Sequence, residues 1–278
     1  MIRFDNFSFA YHKKFPIYTD LNLELAEGKI YGLFGKNGAG KSTLLKNITG
    51  TNRPVSGEVK VNDQTPHKRK PSFLGDLFMI PEEVYVPPIN PKKFVKIYGS
   101  FYPKFSQEQF NEYIAMLEVP DTKNLTKLSF GQQKKFFIAF GLACNTRTVI
   151  LDEPTNGLDI PSKSQFRKLM AKTIDDDKIF IISTHQVRDL DNILDHIIIV
   201  NQGKVLLNET IYGIEQKLAF NFYPSKPSAE TALAIDEVIG GYAVMEENKN
   251  NEETNINLEQ LFNTSIVNAQ GVQQLFNS

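Results

Sequence analysis

A single cysteine, Cys144, occurs among the 278 residues, inside an apolar helix-like pattern, so no internal disulfide braces this fold. No stretch approaches the about 18–20 consecutive apolar residues that a membrane helix needs. Charge of either sign is not in excess: the formal net charge is −1 at pH 7, which leaves no electrostatic case for a nucleic-acid partner. The opening Met1-Ile2-Arg3-Phe4-Asp5 reads as a strand and not as a signal peptide. What is present is ordinary for a globular cytosolic chain. Hydrophobic residues make up 41% and charged residues 23%, in a length that allows one large domain or two small ones.

One segment is far from ordinary. Gly35-Lys36-Asn37-Gly38-Ala39-Gly40-Lys41-Ser42 is a complete G-x-x-x-x-G-K-[ST] phosphate loop. The apolar run Ile30–Phe34 before it reads as a strand, and Thr43–Ile48 after it as a helix, the context this motif requires. Glycines let the backbone wrap a phosphate chain closely. The loop amides and the helix N-terminus supply donors and a positive dipole end. Lys41 would meet the β- and γ-phosphates of a nucleotide and the Ser42 hydroxyl would ligate Mg2+. A glycine-rich turn that binds nothing is the bland alternative, and the full motif in this context argues against it.

Val149-Ile150-Leu151-Asp152-Glu153-Pro154 reads as a buried strand that ends in two carboxylates. Asp152 there can hold Mg2+ through water, and Glu153 can orient an attacking water at the γ-phosphate. Phosphoryl transfer needs little beyond such positioning and charge neutralisation. Upstream, Leu128-Ser129-Phe130-Gly131-Gln132-Gln133 opens a helix-like run. Ser129 with Gln132 is a capping-box pattern, which gives a purely structural reading. A capped helix N-terminus beside a glycine also presents donors to a phosphate.

The order phosphate loop, L-S-x-G-Q signature, acidic strand, Gly157-Leu158-Asp159 and then His185 resembles the ATP-binding cassette family over roughly residues 1–210. The resemblance implies an ATPase with ATP and Mg2+ as cofactors, in which two cassettes sandwich two nucleotides. Ser129 and Gly131 would then act on the γ-phosphate held by a second cassette, in a homodimer or heterodimer. Asp159 would couple the two sites, and His185 would contact the γ-phosphate. Lys36, Asn37, Gly38, Ala39 and Thr43 join Gly35, Gly40, Lys41 and Ser42 in the nucleotide cradle.

Two positions depart from the family pattern. Phe130 replaces the first of the usual two signature glycines. Met79-Ile80-Pro81-Glu82-Glu83 stands where a glutamine-containing loop is usual, and Glu82 fits that position, adding a ligand to the nucleotide and Mg2+ set. A glutamate there resembles export-type bacterial cassettes, as does the closing Asn257-Leu258-Glu259-Gln260-Leu261-Phe262. Tyr11, at the end of the alternating segment Ile2–Phe9, stands where cassettes place an aromatic to stack on adenine. Aromatics also favour strand ends for their own sake.

The resulting expectation is an α/β fold. It has a phosphate-loop core with a mostly parallel sheet, an N-terminal antiparallel β subdomain and a helical subdomain inserted at about 90–146. The cassette would span 1–215, with an accessory segment at 216–278. Helices are expected at Pro91–Phe101, Gln107–Glu118 and Ser129–Asn145. Loops are expected at Gln64–Pro71 and Glu247–Thr254, and strands at Val55–Val61 and Tyr242–Met245. The function expected is that of an ATP-hydrolysing subunit of an export transporter. It would sit in the cytoplasm on the inner face of the membrane, on a separate integral membrane permease. The alternative is a soluble cassette acting on a cytosolic complex. Against that alternative, the phosphate loop occurs once and no long heptad insertion interrupts the chain.

Overall fold

A strand that is apolar on both faces needs a packed layer on each side. Ile179-Phe180-Ile181-Ile182 is such a strand, and none of its side chains is more than 1% exposed. The computed structural model describes residues 1–12, 14–190, 193–227, 232–250 and 253–277. In it Ile179 and Ile181 enter one apolar core, and Phe180 and Ile182 another.

The chain runs through β1 (Ile2–His12), β2 (Phe15–Leu25), β3 (Lys29–Phe34), α1 (Lys41–Ile48), β4 (Ser56–Val61), α2 (Pro71–Leu74) and β5 (Leu77–Ile80). It continues with α3 (Pro91–Gly99), α4 (Gln107–Met116), α5 (Phe130–Ala143), β6 (Thr148–Asp152), α6 (Ile160–Thr173), β7 (Ile179–Thr184), β8 (His196–Asn201) and β9 (Lys204–Thr210). It closes with α7 (Ile211–Lys217), β10 (Leu218–Tyr223), β11 (Ala232–Val238), β12 (Gly241–Glu247), α8 (Leu258–Val267) and α9 (Ala269–Asn277).

The central six-stranded sheet has the order β5-β6-β7-β3-β8-β9. All neighbours pair parallel except β9, which returns antiparallel along β8. One face packs on α1 and on a three-stranded antiparallel sheet, β2-β1-β4. The other packs on α3 to α6. This is the α/β architecture expected.

Local chemistry accounts for the detail. Phe4 and Phe7 are both buried although they are three residues apart. The register slips between them, and Asn6 in between has φ +44°, so a bulge re-aims Phe7 into the core. Helix α5 is buried on every side from Lys134 to Ala143. Its Phe136, Phe137 and Phe140 meet Phe94 of α3 edge-on, with centroids 5.5, 5.4 and 5.0 Å apart.

The three expected helices form but end earlier, α4 at Met116 and α5 at Ala143. Glu118 and Asn145 just beyond have φ +52° and +50°, and left-handed residues stop a helix. The Gln64–Pro71 segment contains a single 3₁₀ turn at Pro66–Lys68. The C-terminal stretch is richer than the one expected strand. It forms the antiparallel sheet β10-β12-β11 with α8 and α9 packed near β8 and β9. A boundary at residue 215 falls inside α7. Of the Glu247–Thr254 run, residues 251 and 252 lie outside the described residues. Among the described residues no helix is long and apolar enough to cross a membrane.

The turn between β8 and β9 ties this sheet to the phosphate loop. Gly203 has φ +73° and its N–H donates to the Ala39 carbonyl at 3.2 Å. A Cβ on Gly203 would lie 1.6 Å from the Ile17 carbonyl oxygen. Gly203→Ala is expected to cost about 2 kcal/mol or more, from the left-handed backbone and the clash together. Thermal unfolding checks this. An unchanged Tm would mean that β2 gives way freely.

Candidate functional site

Strands β6, β7 and β3 are adjacent, and their register sets Asp152 beside Ser183 and Phe34 beside Thr184. Their C-terminal ends therefore deliver the phosphate loop, Asp152-Glu153 and His185 to one place, where open α/β sheets bind ligands. Lys36 to Thr43, Glu82, Asp152, Glu153 and His185 line a cavity of about 660 Å³ there. Pro16 and Ile17 of β2 and Gln202 and Gly203 of the β8–β9 turn close its rim.

Gly38 and Gly40 of the loop have φ +78° and +113°, conformations glycine alone holds without strain. Buried Tyr18 donates its hydroxyl to the Gly40 carbonyl at 3.0 Å. A Cβ on Gly40 would lie 2.7 Å from that hydroxyl oxygen, so the contact requires glycine. Lys41 is folded over its own loop, its Nζ donating to the Gly35 carbonyl at 2.6 Å and the Lys36 carbonyl at 3.4 Å. Burial lowers the Lys41 pKa, and the charges of Glu153, Asp152 and Glu82 oppose that shift. Helix α1 has no acidic residue in its first turn, which leaves its positive dipole end uncompensated.

Both carboxylates at the end of β6 are buried, Asp152 at 7% exposure and Glu153 at 4%. Asp152 accepts through Oδ1 from the Ser183 hydroxyl. Glu153 is held by three groups. The Thr184 hydroxyl donates to Oε2 at 2.9 Å, the His185 N–H donates to Oε1 at 3.0 Å, and His185 Nδ1 lies 2.7 Å from Oε1. The backbone of Glu153 is itself strained, at φ +48°. Glu82 Oε1 accepts from Asn156 Nδ2 at 3.5 Å. Among the described residues no three or more His, Cys, Asp and Glu side chains form a metal cage. Ser42, Asp152 and Glu82 are a sparse set of hard oxygen donors. That suits a Mg2+ ion, which keeps waters and takes phosphate oxygens.

The remaining expected residues lie elsewhere. Ser129 and Gln132 form the full capping box: Ser129 Oγ accepts from the Gln132 N–H at 3.3 Å, and Gln132 Oε1 accepts from the Ser129 N–H at 2.9 Å. Asp159 caps α6 by accepting from the Ser162 N–H at 2.9 Å, and its hydrogen bonds with Ser162 lower its pKa. Ser129, Gly131 and Asp159 do not line the cavity. Neither does Tyr11, which is 60% exposed and turns its ring edge to Phe9 with centroids 4.9 Å apart. Its hydroxyl accepts from Asn52 at 3.4 Å, and it stands next to Thr43 and Lys46 of α1.

Several residues of the site escape sequence reasoning. Tyr18, Pro16 and Ile17 arrive from β2, far from any motif. Gln202-Gly203 carries a turn signal, but nothing in it points at the phosphate loop. Lys134 looks like one polar residue in a helix, yet it is 2% exposed with its Nζ 2.5 Å from the Glu153 carbonyl oxygen.

A family model described as ABC transporter matches residues 18–156. The energy-coupling factor transporter ATP-binding protein EcfA2 of Staphylococcus aureus (strain MRSA252) is 30% identical over 242 residues, 79% of this chain and 84% of that protein. Among solved structures, a bacterial Atm1-family ABC exporter with ATP bound superposes with a TM-score of 0.66 at 22% identity, over 75% of this chain and 38% of that one. A dimeric ATP-binding cassette in a post-hydrolysis state with ADP and Pi gives a TM-score of 0.64 at 22% identity, over 76% of this chain and 99% of that one.

Proposed function

The chain belongs to the ABC transporter family of ATPases, and we propose that it powers a separate integral membrane permease by closing on a second cassette when ATP binds. ATP is its nucleotide and hydrolysis its chemistry; cassettes of this family dimerise and pair with membrane components. One observation carries the mechanistic reading. The cavity holds Lys41, Asp152, Glu153 and His185 together, while Ser129 and Gly131 lie outside it. A site with a phosphate loop and no signature is completed by a signature from another chain.

In this reading Lys41 leaves the Gly35 and Lys36 carbonyls to neutralise the β- and γ-phosphates. The α1 N-terminus and the loop amides take the remaining phosphate oxygens. Ser42 and Asp152, with Glu82, would hold Mg2+, which would supply charge neutralisation at the phosphates. Glu153, aimed by Thr184 and His185, orients the water. Tyr11 offers a stacking face for adenine beside Thr43. Pro16 and Ile17 stand at the cavity rim next to it.

Two readings of the transporter follow from different observations. Glu82 in place of the usual glutamine supports an exporter. The EcfA2 relatives support an energy-coupling factor transporter. Both place the chain on the inner face of a membrane. Purification of the tagged full chain from a detergent extract of its native host tests the proposal. A stoichiometric membrane-spanning protein is expected, and its identity separates the two readings. Recovery with a soluble assembly and no membrane protein would overturn both.

A further inference from the structure

Among the described residues Lys134 is the most deeply buried lysine, and no step above uses it. Burial lowers its pKa, opposed by the charges of Glu82, Glu153 and Asp152. An apolar side chain of similar size would fill the same space without the cost of desolvating an ammonium. The cation therefore calls for a reason.

Its contacts supply one. Lys134 Nζ donates to the Glu153 carbonyl oxygen at 2.5 Å, and the same oxygen accepts from the Asn156 N–H at 3.3 Å. Glu153 carries a non-glycine left-handed backbone, which persists only where its surroundings over-determine it. The Glu153 N–H is fixed to the Ser183 carbonyl at 2.9 Å, so Lys134 secures the other side of the residue. Four residues earlier on the same face of α5, the Phe130 ring centroid lies 5.4 Å from Lys134 Nζ. That ring covers Gly157, where a Cβ would sit 2.5 Å from it.

We propose that Lys134 is a positioning residue: its ammonium clamps the left-handed Glu153 backbone, so that the carboxylate faces Thr184 and His185, and ties it to Phe130 in the signature. The link makes one covalent helix join the signature of one site to the water-orienting carboxylate of the other. A shift of the α5 N-terminus against a partner nucleotide would reach Glu153 through a single side chain. This inference rests on the reading of Glu153 as the group that orients water.

ATPase kinetics of the purified full chain test it, with Lys134→Met and Lys134→Leu removing the donor and Lys134→Gln restoring one. Loss of the clamp is expected to lower kcat by about 10- to 100-fold, the scale of a small misplacement of a reacting group. KM for ATP is expected to stay within about twofold in both apolar variants, because Lys134 meets no phosphate-loop residue. Lys134→Gln should recover a large part of kcat. Either apolar variant that folds, judged by its Tm, is sufficient. Wild-type kcat in a folded apolar variant overturns the proposal, as does a Lys134→Gln enzyme no faster than Lys134→Met. Glu153→Gln, measured alongside, keeps the two ideas apart. If it hydrolyses ATP normally, the reading of Glu153 fails. If it is inactive while Lys134→Met is fully active, only the clamp fails.

Discussion

Glu153→Gln is expected to bind ATP with near-normal affinity and to lose about 100- to 1,000-fold in kcat, the scale of a removed general base. The substitution suits the question because its shape preserves the surroundings. The His185 N–H can only donate, so the amide oxygen must occupy the Oε1 position, where it still accepts that bond. The amide nitrogen then faces Thr184, whose hydroxyl rotates to accept in place of donating. Packing at a residue only 4% exposed is thus retained. What disappears is the negative charge and the capacity to take a proton from water. The phosphate-loop contacts of Lys41 are untouched, so affinity should hold within about threefold. Steady-state turnover together with equilibrium nucleotide binding reads both halves. Near-normal turnover would remove Glu153 from the reaction, and a parallel loss of affinity would mean that the variant had disturbed the loop.

Sequence reaches some of this site and not the rest, for a physical reason. The phosphate loop, the Asp152-Glu153 pair and the Ser129 capping box are local devices whose geometry is determined by residues a few positions apart. Their types and order are legible without a partner. The parallel core is legible for a similar reason, since Ile179–Ile182 and Val149–Leu151 are apolar on both faces. Tyr18 carries no such mark. Its hydroxyl meets Gly40 only because β2 lies against the loop, a long-range contact. Lys134 is the sharper case. A lysine in a helix reads as solvated, and its burial makes sense only beside a carbonyl that another segment turns toward it. The C-terminal sheet is not legible in the sequence because β10 and β11 are only half-buried and lack a continuous apolar run through their length. One face of β11 is covered by α8, whose Gln260 donates to Asp236 at 2.9 Å and to the Ala243 carbonyl at 3.0 Å. That support comes from further along the chain.

Assembly should depend on nucleotide, and the hydrolysis-blocked Glu153→Gln protein is the form in which to see it. It is expected to be monomeric without nucleotide and with ADP, and dimeric with ATP. Each chain contributes one phosphate loop and one signature that does not line its own cavity. In the proposed dimer the γ-phosphate would be a shared ligand, bound by Lys41 of one chain and by the N-terminus of α5, with Ser129 and Gly131, of the other. ADP lacks that shared group. The free α5 N-terminus is well prepared for the contact. Its capping box is complete, no acidic residue stands in its first turn, and Ser129 is exposed. Phe130 is expected to bear on which chain pairs. It is 54% exposed and lies against Gly157, so in the proposed dimer an aromatic surface would meet the partner where glycine is usual. Self-pairing requires the partner's cavity rim to accept that ring. Size-exclusion chromatography with light scattering, run without nucleotide, with ADP and with ATP, measures the outcome. A monomer at saturating ATP would point to a different cassette as partner, and Phe130→Gly should then restore self-association if the ring is the obstacle. A dimer equally stable in all three conditions would place the interface away from the nucleotide, and the role of Ser129 and Gly131 across the interface would lose its support.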